Sequence, residues 1–236
     1  MITGASPVRD LIPFVKMGLY GPAGHGKTKL ASEAPKPIWF DYENSTETLR
    51  HWPEYVDIPV KCPKRPEELF ADVQKVLMEK ERETIVLDSV TSSLSTYLIQ
   101  RMVMVKEKGD EYGRKRDEFM VQEGDYKYAT QVFNKMFMLL QQAPINVVII
   151  AHDREYYNES TGKLEAIRPD ITPRLRASFT RLVNVVGYLQ MERSEARGTS
   201  QRKLYLNPTN IIEAKNRLNI QETFILNPTW KELFNA

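Results

Sequence analysis

The sequence predicts an α/β domain with a mostly parallel central sheet covered by helices, and three observations predict it. Short apolar runs alternate with amphipathic segments along most of the chain, the pattern of strand–helix units. Two of the runs, Thr84-Ile85-Val86-Leu87-Asp88 and Val147 to Ala151, are almost unbroken, as strands are when both sheet faces are covered. A third, Phe14 to Tyr20, ends in a glycine-rich turn that leads straight into a helical segment.

Taken in order, Phe14 to Tyr20 reads as the first strand. Lys27 to Ser32 opens a short helix stopped by Pro35 and Pro37. Pro37 to Asp41 is a second short strand. Glu67 to Arg82 is helical, with Leu69, Val73, Val76 and Leu77 on one face. After the strand Thr84 to Asp88 come two long helical segments, near Ser93 to Lys106 and Tyr126 to Gln142, with the charged stretch Lys106 to Asp117 between them. Val147 to Ala151 is the next strand. Val183 to Met191 and Arg202 to Leu206 read as further strands, a block that extends a parallel core with antiparallel pairs. The segment Asp153 to Thr180 lacks a clear period and reads as a long, partly mobile loop. No repeat or low-complexity segment interrupts the chain, so 1–236 is expected to form a single domain, with 218–236 as a C-terminal extension.

Composition excludes several classes. Apolar residues make up 42% and charged residues 27%, the balance of a soluble globular protein. The net charge of +2 does not announce a nucleic-acid binder, so any basic surface must be local. A lone cysteine, Cys62, permits no internal disulfide, which fits a reducing cytoplasm. Met1 to Asp10 lacks the basic-then-apolar order of a secretory signal, and no stretch reaches the roughly 18 apolar residues of a membrane span. A soluble intracellular protein is expected, with no membrane partner.

The chemistry starts at Gly21-Pro22-Ala23-Gly24-His25-Gly26-Lys27-Thr28. Glycines there let backbone N–H groups turn inward around phosphates. The Lys27 ammonium can reach the β- and γ-phosphates, and the Thr28 hydroxyl can ligate Mg2+. The following helix points its positive end at the anion. A strand before and a helix after complete the context of an ATP-binding P-loop. Such a loop needs an acid to orient the metal, and Asp88 ends a strand at the carboxyl edge of the sheet; it could instead cap the next helix. Hydrolysis also needs a group to align and deprotonate water. Glu43, after the strand ending in Asp41, is the first candidate and Asp41 the second; Glu43 could alternatively cap the turn Ser45 to Arg50.

This order of parts resembles the RecA-like ATPase core, over about Phe14 to Arg217. Among its members the chain is most similar to the RecA- and RadA-like ATPases encoded by bacteriophages, which act as single-strand annealing or recombination factors. The resemblance implies that Glu43 is the catalytic glutamate and that Asp88 and Ser89 form the second nucleotide motif. His152, ending Val147 to Ala151, takes the place of a polar γ-phosphate sensor that is often glutamine. Lys215-Asn216-Arg217 matches the Lys-x-Arg that RadA-like and DnaB-like relatives insert into a neighbour's ATP site, where a cation neutralises charge on the transferred phosphoryl. A solvated turn is the plain alternative for that triplet, and a backbone-bonded strand end for His152.

The resemblance also implies that DNA is held by loops near the sensor strand. Here Arg168, Arg174, Arg176 and Arg181 stand against Asp170 alone, a local net of +3, with Tyr156 and Tyr157 available to stack on bases. The expected partners are single-stranded DNA, further copies of the chain in a ring or filament, and a single-stranded-DNA-binding protein. The expected activity is Mg2+-dependent ATP hydrolysis coupled to recombination or annealing. A ring motor or loader acting on proteins, and an assembly module that uses ATP as glue, are the alternatives.

Overall fold

The computed structural model describes residues 14–110, 112–117, 119–194, 199–218 and 220–234. Met1 to Asp10, read above for a signal, lies outside them. The strands are β1 (Lys16–Tyr20), β2 (Pro37–Asp41), β3 (Val60–Lys61), β4 (Thr84–Asp88), β5 (Asn146–Ala151), β6 (Asp153–Tyr157), β7 (Leu164–Pro169), β8 (Val185–Ser194), β9 (Thr199–Tyr205), β10 (Lys215–Asn216) and β11 (Phe224–Leu226). The helices are α1 (Lys27–Ser32), α2 (Pro66–Glu79), α3 (Val90–Lys108), α4 (Glu123–Gln142), α5 (Pro173–Leu182) and α6 (Trp230–Phe234).

The main sheet runs β11-β9-β8-β1-β5-β4-β2-β3, with β10 also paired to β8. From β8 to β3 every pairing is parallel, so the carboxyl ends of β1, β2, β4 and β5 share one edge. The pairs of β8 with β9 and β10, and of β9 with β11, are antiparallel. This is the expected parallel core with an antiparallel extension.

Period-two alternation sorts the central strands between two cores. Tyr20, Phe40, Ile85, Leu87, Val147 and Ile149 pack against α2 to α5 through Leu69, Val73, Phe133, Met136, Leu175 and Phe179. Met17, Leu19, Trp39, Val86, Val148 and Ile150 face the other way, onto Leu30 and Ala31 of α1 and Trp230 and Leu233 of α6. Both faces are covered, which is why these strands read as nearly continuous apolar runs. The 218–236 segment is therefore part of the architecture over its described residues: β11 extends the sheet and α6 closes the second core.

One expectation is corrected. Asp153 to Thr180 is not a long irregular loop but the antiparallel hairpin β6–β7 followed by α5. The hairpin is a separate two-stranded sheet, and β6 is exposed or half-buried throughout, so no apolar alternation marks it in the sequence. No described helix is long and apolar enough to cross a membrane.

Candidate active site

The glycine-rich turn is set by close packing as much as by sequence. Gly21 leaves β1 at φ 148°, and a Cβ there would stand 2.1 Å from the Leu189 carbonyl oxygen on β8, so no larger residue fits. Gly26 is the N-cap of α1 at φ 91°, with no side chain capping the helix and no acidic residue in its first turn. The N–H groups at the start of α1 therefore keep their capacity for an anion. His25 fastens the loop to the antiparallel extension, since its Nδ1 accepts the Met191 N–H at 3.0 Å.

Lys27 folds back on the loop and donates to the carbonyls of Gly21 at 2.7 Å and Pro22 at 2.9 Å. Burial lowers its pKa, opposed by the negative charges of Asp88, Glu43 and Asp153. Parallel register brings the end of β4 beside it. Thr28 donates through Oγ1 to Asp88 Oδ2 at 3.3 Å. Asp88 is almost fully buried, and burial pushes its carboxyl up to about 7 against the hydrogen bond from Ser45. Asp88 does not cap α3: Ser89 does, its side chain accepting the Ser92 N–H at 3.1 Å.

The two acids at the end of β2, Asp41 within it and Glu43 just beyond, separate cleanly. Asp41 holds the turn, accepting the N–H groups of Glu43 at 2.9 Å, Ser45 at 3.3 Å and Thr46 at 2.9 Å, and the Thr46 hydroxyl at 2.7 Å. Glu43 takes no part in capping. Its Oε1 accepts Ser92 Oγ at 2.6 Å, His152 Nε2 at 2.7 Å, and the Ser89 hydroxyl. Burial alone would raise the Glu43 carboxyl, but these three donors outweigh it and hold it at about 2. His152 is raised in turn, first by its hydrogen bond to Glu43 and against its burial. Lys27, Thr28, Glu43, Asp88 and His152, drawn from four segments, thus converge at the carboxyl edge of the sheet.

A hydroxyl and a buried carboxylate side by side are hard oxygen donors of the kind Mg2+ takes, and the uncapped α1 with Lys27 suits a polyphosphate. The residues present therefore fit magnesium and ATP: Thr28 and Asp88 would hold the metal, and Gly21 to Thr28 the phosphates.

The remaining candidates lie apart from that cluster. Lys215 pairs with Val186, Asn216 with Val185, and the Arg217 N–H reaches the Asn184 carbonyl at 3.1 Å, whereas Tyr20 before the P-loop pairs with Tyr188. The triplet therefore runs away from the P-loop edge toward the other end of the sheet, from about 7 Å along the β8 direction at Lys215 to about 13 Å at Arg217. Lys215 donates to the carbonyls of Thr180 and Val183, both at 2.6 Å, and so holds the C-terminal end of α5. Arg217 is exposed.

The four arginines divide into pairs. Arg168 and Arg176 share Glu213, at 3.7 and 3.8 Å, and both guanidinium groups lie over the Tyr156 ring. Arg174 and Arg181 sit on the exposed side of α5. Sequence reasoning missed Ser45, Ser92 and Thr91. Thr91 Oγ1 accepts the His152 N–H at 3.2 Å and donates to the Asp170 carbonyl at 3.1 Å, joining the hairpin base to α3. Serine and threonine at a helix start read as ordinary capping residues, so no sequence signal separates these.

Comparison with known proteins agrees with the geometry. A family model described as an AAA domain matches residues 14–218. A KaiC-like protein from the hyperthermophilic archaeon Pyrococcus horikoshii superposes with a TM-score of 0.50 at 10% identity, covering 90% of this chain and 83% of that one. No curated protein matches in sequence. With its P-loop, its mostly parallel sheet and a family match over nearly its whole described length, the chain belongs to the AAA domain family and has the fold of a RecA-like P-loop ATPase.

Proposed function

We propose that this protein hydrolyses ATP with Mg2+ and couples hydrolysis to single-stranded DNA in recombination or annealing. The observation that carries the reading is the contact of Glu43 with His152, because His152 joins the water-activating carboxylate to the root of the β6–β7 hairpin. Lys27 leaves its loop carbonyls for the β- and γ-phosphates. Magnesium, when bound at Thr28 and Asp88, neutralises phosphate charge. Water attacks the γ-phosphorus, its proton passes to Glu43, and the bond to the ADP oxygen breaks. Three donors on one oxygen make Glu43 a weak base as it stands. A γ-phosphate that draws His152 away removes one donor and raises its basicity.

DNA on the hairpin and α5, through Arg174 and Arg181, would act on the same histidine. Arg217, far from its own P-loop, suits a cation lent to the next subunit of a ring or filament. The resemblance to bacteriophage recombination ATPases supports the DNA assignment, and a single-stranded-DNA-binding protein fits as a further partner in the host cytoplasm. The decisive experiment is the ATPase rate with and without single-stranded DNA. Stimulation supports the reading; turnover indifferent to DNA would favour a motor or loader acting on proteins, and no turnover an assembly module.

A further inference from the structure

The carboxyl ends of β2 and β4 place two buried acids side by side, Asp41 in register with Asp88. Two carboxylates so close repel when both are charged. The Ser45 hydroxyl stands between them, 2.5 Å from Asp88 Oδ2 and 3.4 Å from Asp41 Oδ1. Its position is not accidental to the turn. Asn44 adopts a left-handed conformation at φ 57°, and Asp41 then gathers the N–H groups of Glu43, Ser45 and Thr46. One aspartate thus builds a turn that sends Ser45 toward Asp88 and Glu43 toward His152.

We infer that Ser45, set by Asp41, is a positioning residue for the metal: it fixes the plane of the Asp88 carboxylate. A carboxylate turns about its last side-chain bond unless a donor locks it. Oδ2 of Asp88 is held by Ser45 from one segment and by Thr28 from another, so two donors from different parts of the chain fix one oxygen of the carboxylate. A Thr28 hydroxyl that gives a lone pair to a cation can still donate its proton, but at 3.3 Å it is the longer bond, and Ser45 at 2.5 Å is the closer hold on Asp88. Partners of this kind behind a metal-binding carboxylate change metal affinity by about 10- to 100-fold when removed. The inference rests on the proposed Mg·ATP site.

The test is a titration of the protein with Mn2+, followed by electron paramagnetic resonance, in the presence of a non-hydrolysable ATP analogue. Ser45→Ala is expected to weaken Mn2+ binding about tenfold, while analogue binding measured in EDTA stays at the wild-type level. Ser45→Thr, which keeps the hydroxyl, should restore the affinity to within about threefold. Ser45→Cys, with a weak donor in similar space, should fall between and serves if the alanine variant does not fold. Titration curves of the alanine and wild-type proteins that superimpose would overturn the role of Ser45. A wild-type protein that binds no more Mn2+ than the analogue alone would overturn the metal site itself.

Discussion

The Glu43 carboxylate and the His152 imidazole meet at 2.7 Å, although 109 positions separate them in the chain. Parallel register makes this possible, because β2 and β5 both end at the same edge of the sheet with β4 between them. The pair links the candidate base to the segment that leads into the β6–β7 hairpin, and its charges should be visible in stability.

The sign follows from the two shifts. Glu43 is held at about 2 against an ordinary 4.5, so its contribution is present above 4.5 and is lost as pH falls toward 2. His152 is raised above 6.5, so its contribution is complete below 6.5 and is lost as pH rises through its folded value. The difference in melting temperature between wild type and His152→Gln should therefore be largest between about pH 4.5 and 6.5 and shrink on either side. A difference that does not change with pH would mean that the pair is not ionic.

Glu43 and Asp41 should part by phenotype. Glu43→Gln keeps a hydrogen-bonding side chain but loses the base, so it should bind Mg·ATP and hydrolyse it at least about a hundredfold more slowly. Asp41→Asn disturbs the turn that Asp41 holds and should cost about 1–3 kcal/mol of stability, read by urea unfolding. If Asp41→Asn abolishes turnover in a folded protein while Glu43→Gln does not, Asp41 is the base.

Salt dependence should sort the arginines. Arg174 and Arg181 are exposed on α5, Arg181 bonded among the described residues only to its own helix, at the Ala177 carbonyl and the Ser178 hydroxyl, so replacing both with alanine should flatten the salt slope of single-stranded DNA binding by about one to two units, at ~0.7 per contact. Arg168 and Arg176 hold Glu213 and Tyr156, and their loss should lower the melting temperature more than the slope. A slope untouched by Arg174→Ala with Arg181→Ala would move the DNA site, with the Lys106 to Arg116 stretch next to be tried.

Complementation tests the trans arrangement. Lys27→Ala removes the cradle's cation, and Arg217→Ala removes the one that a neighbour would receive. Each alone should lose at least about a hundredfold in turnover, roughly 2.7 kcal/mol. Mixed, some interfaces pair an intact cradle with an intact Arg217, so activity should rise above either parent and grow with protein concentration. If the variants co-assemble and activity stays flat, Arg217 lends nothing across subunits.

The sequence by itself determined the core and the phosphate cradle. The runs Thr84 to Asp88 and Val147 to Ala151 could be read as doubly covered strands, and Gly21 to Thr28 as a cradle, because both signals are local: burial on two faces and a backbone turn are written in neighbouring residues. Tertiary structure decided which acid meets which partner. Asp41 and Glu43 are two positions apart and alike in chemistry, and only register distinguishes the one that folds onto its own turn from the one that reaches Ser89, Ser92 and His152. The same holds for Lys215 and Arg168, whose charges look available in the sequence and are taken up by α5 carbonyls and Glu213 in the fold. A charge has no partner until the chain brings one near, and here the partners lie tens of residues away.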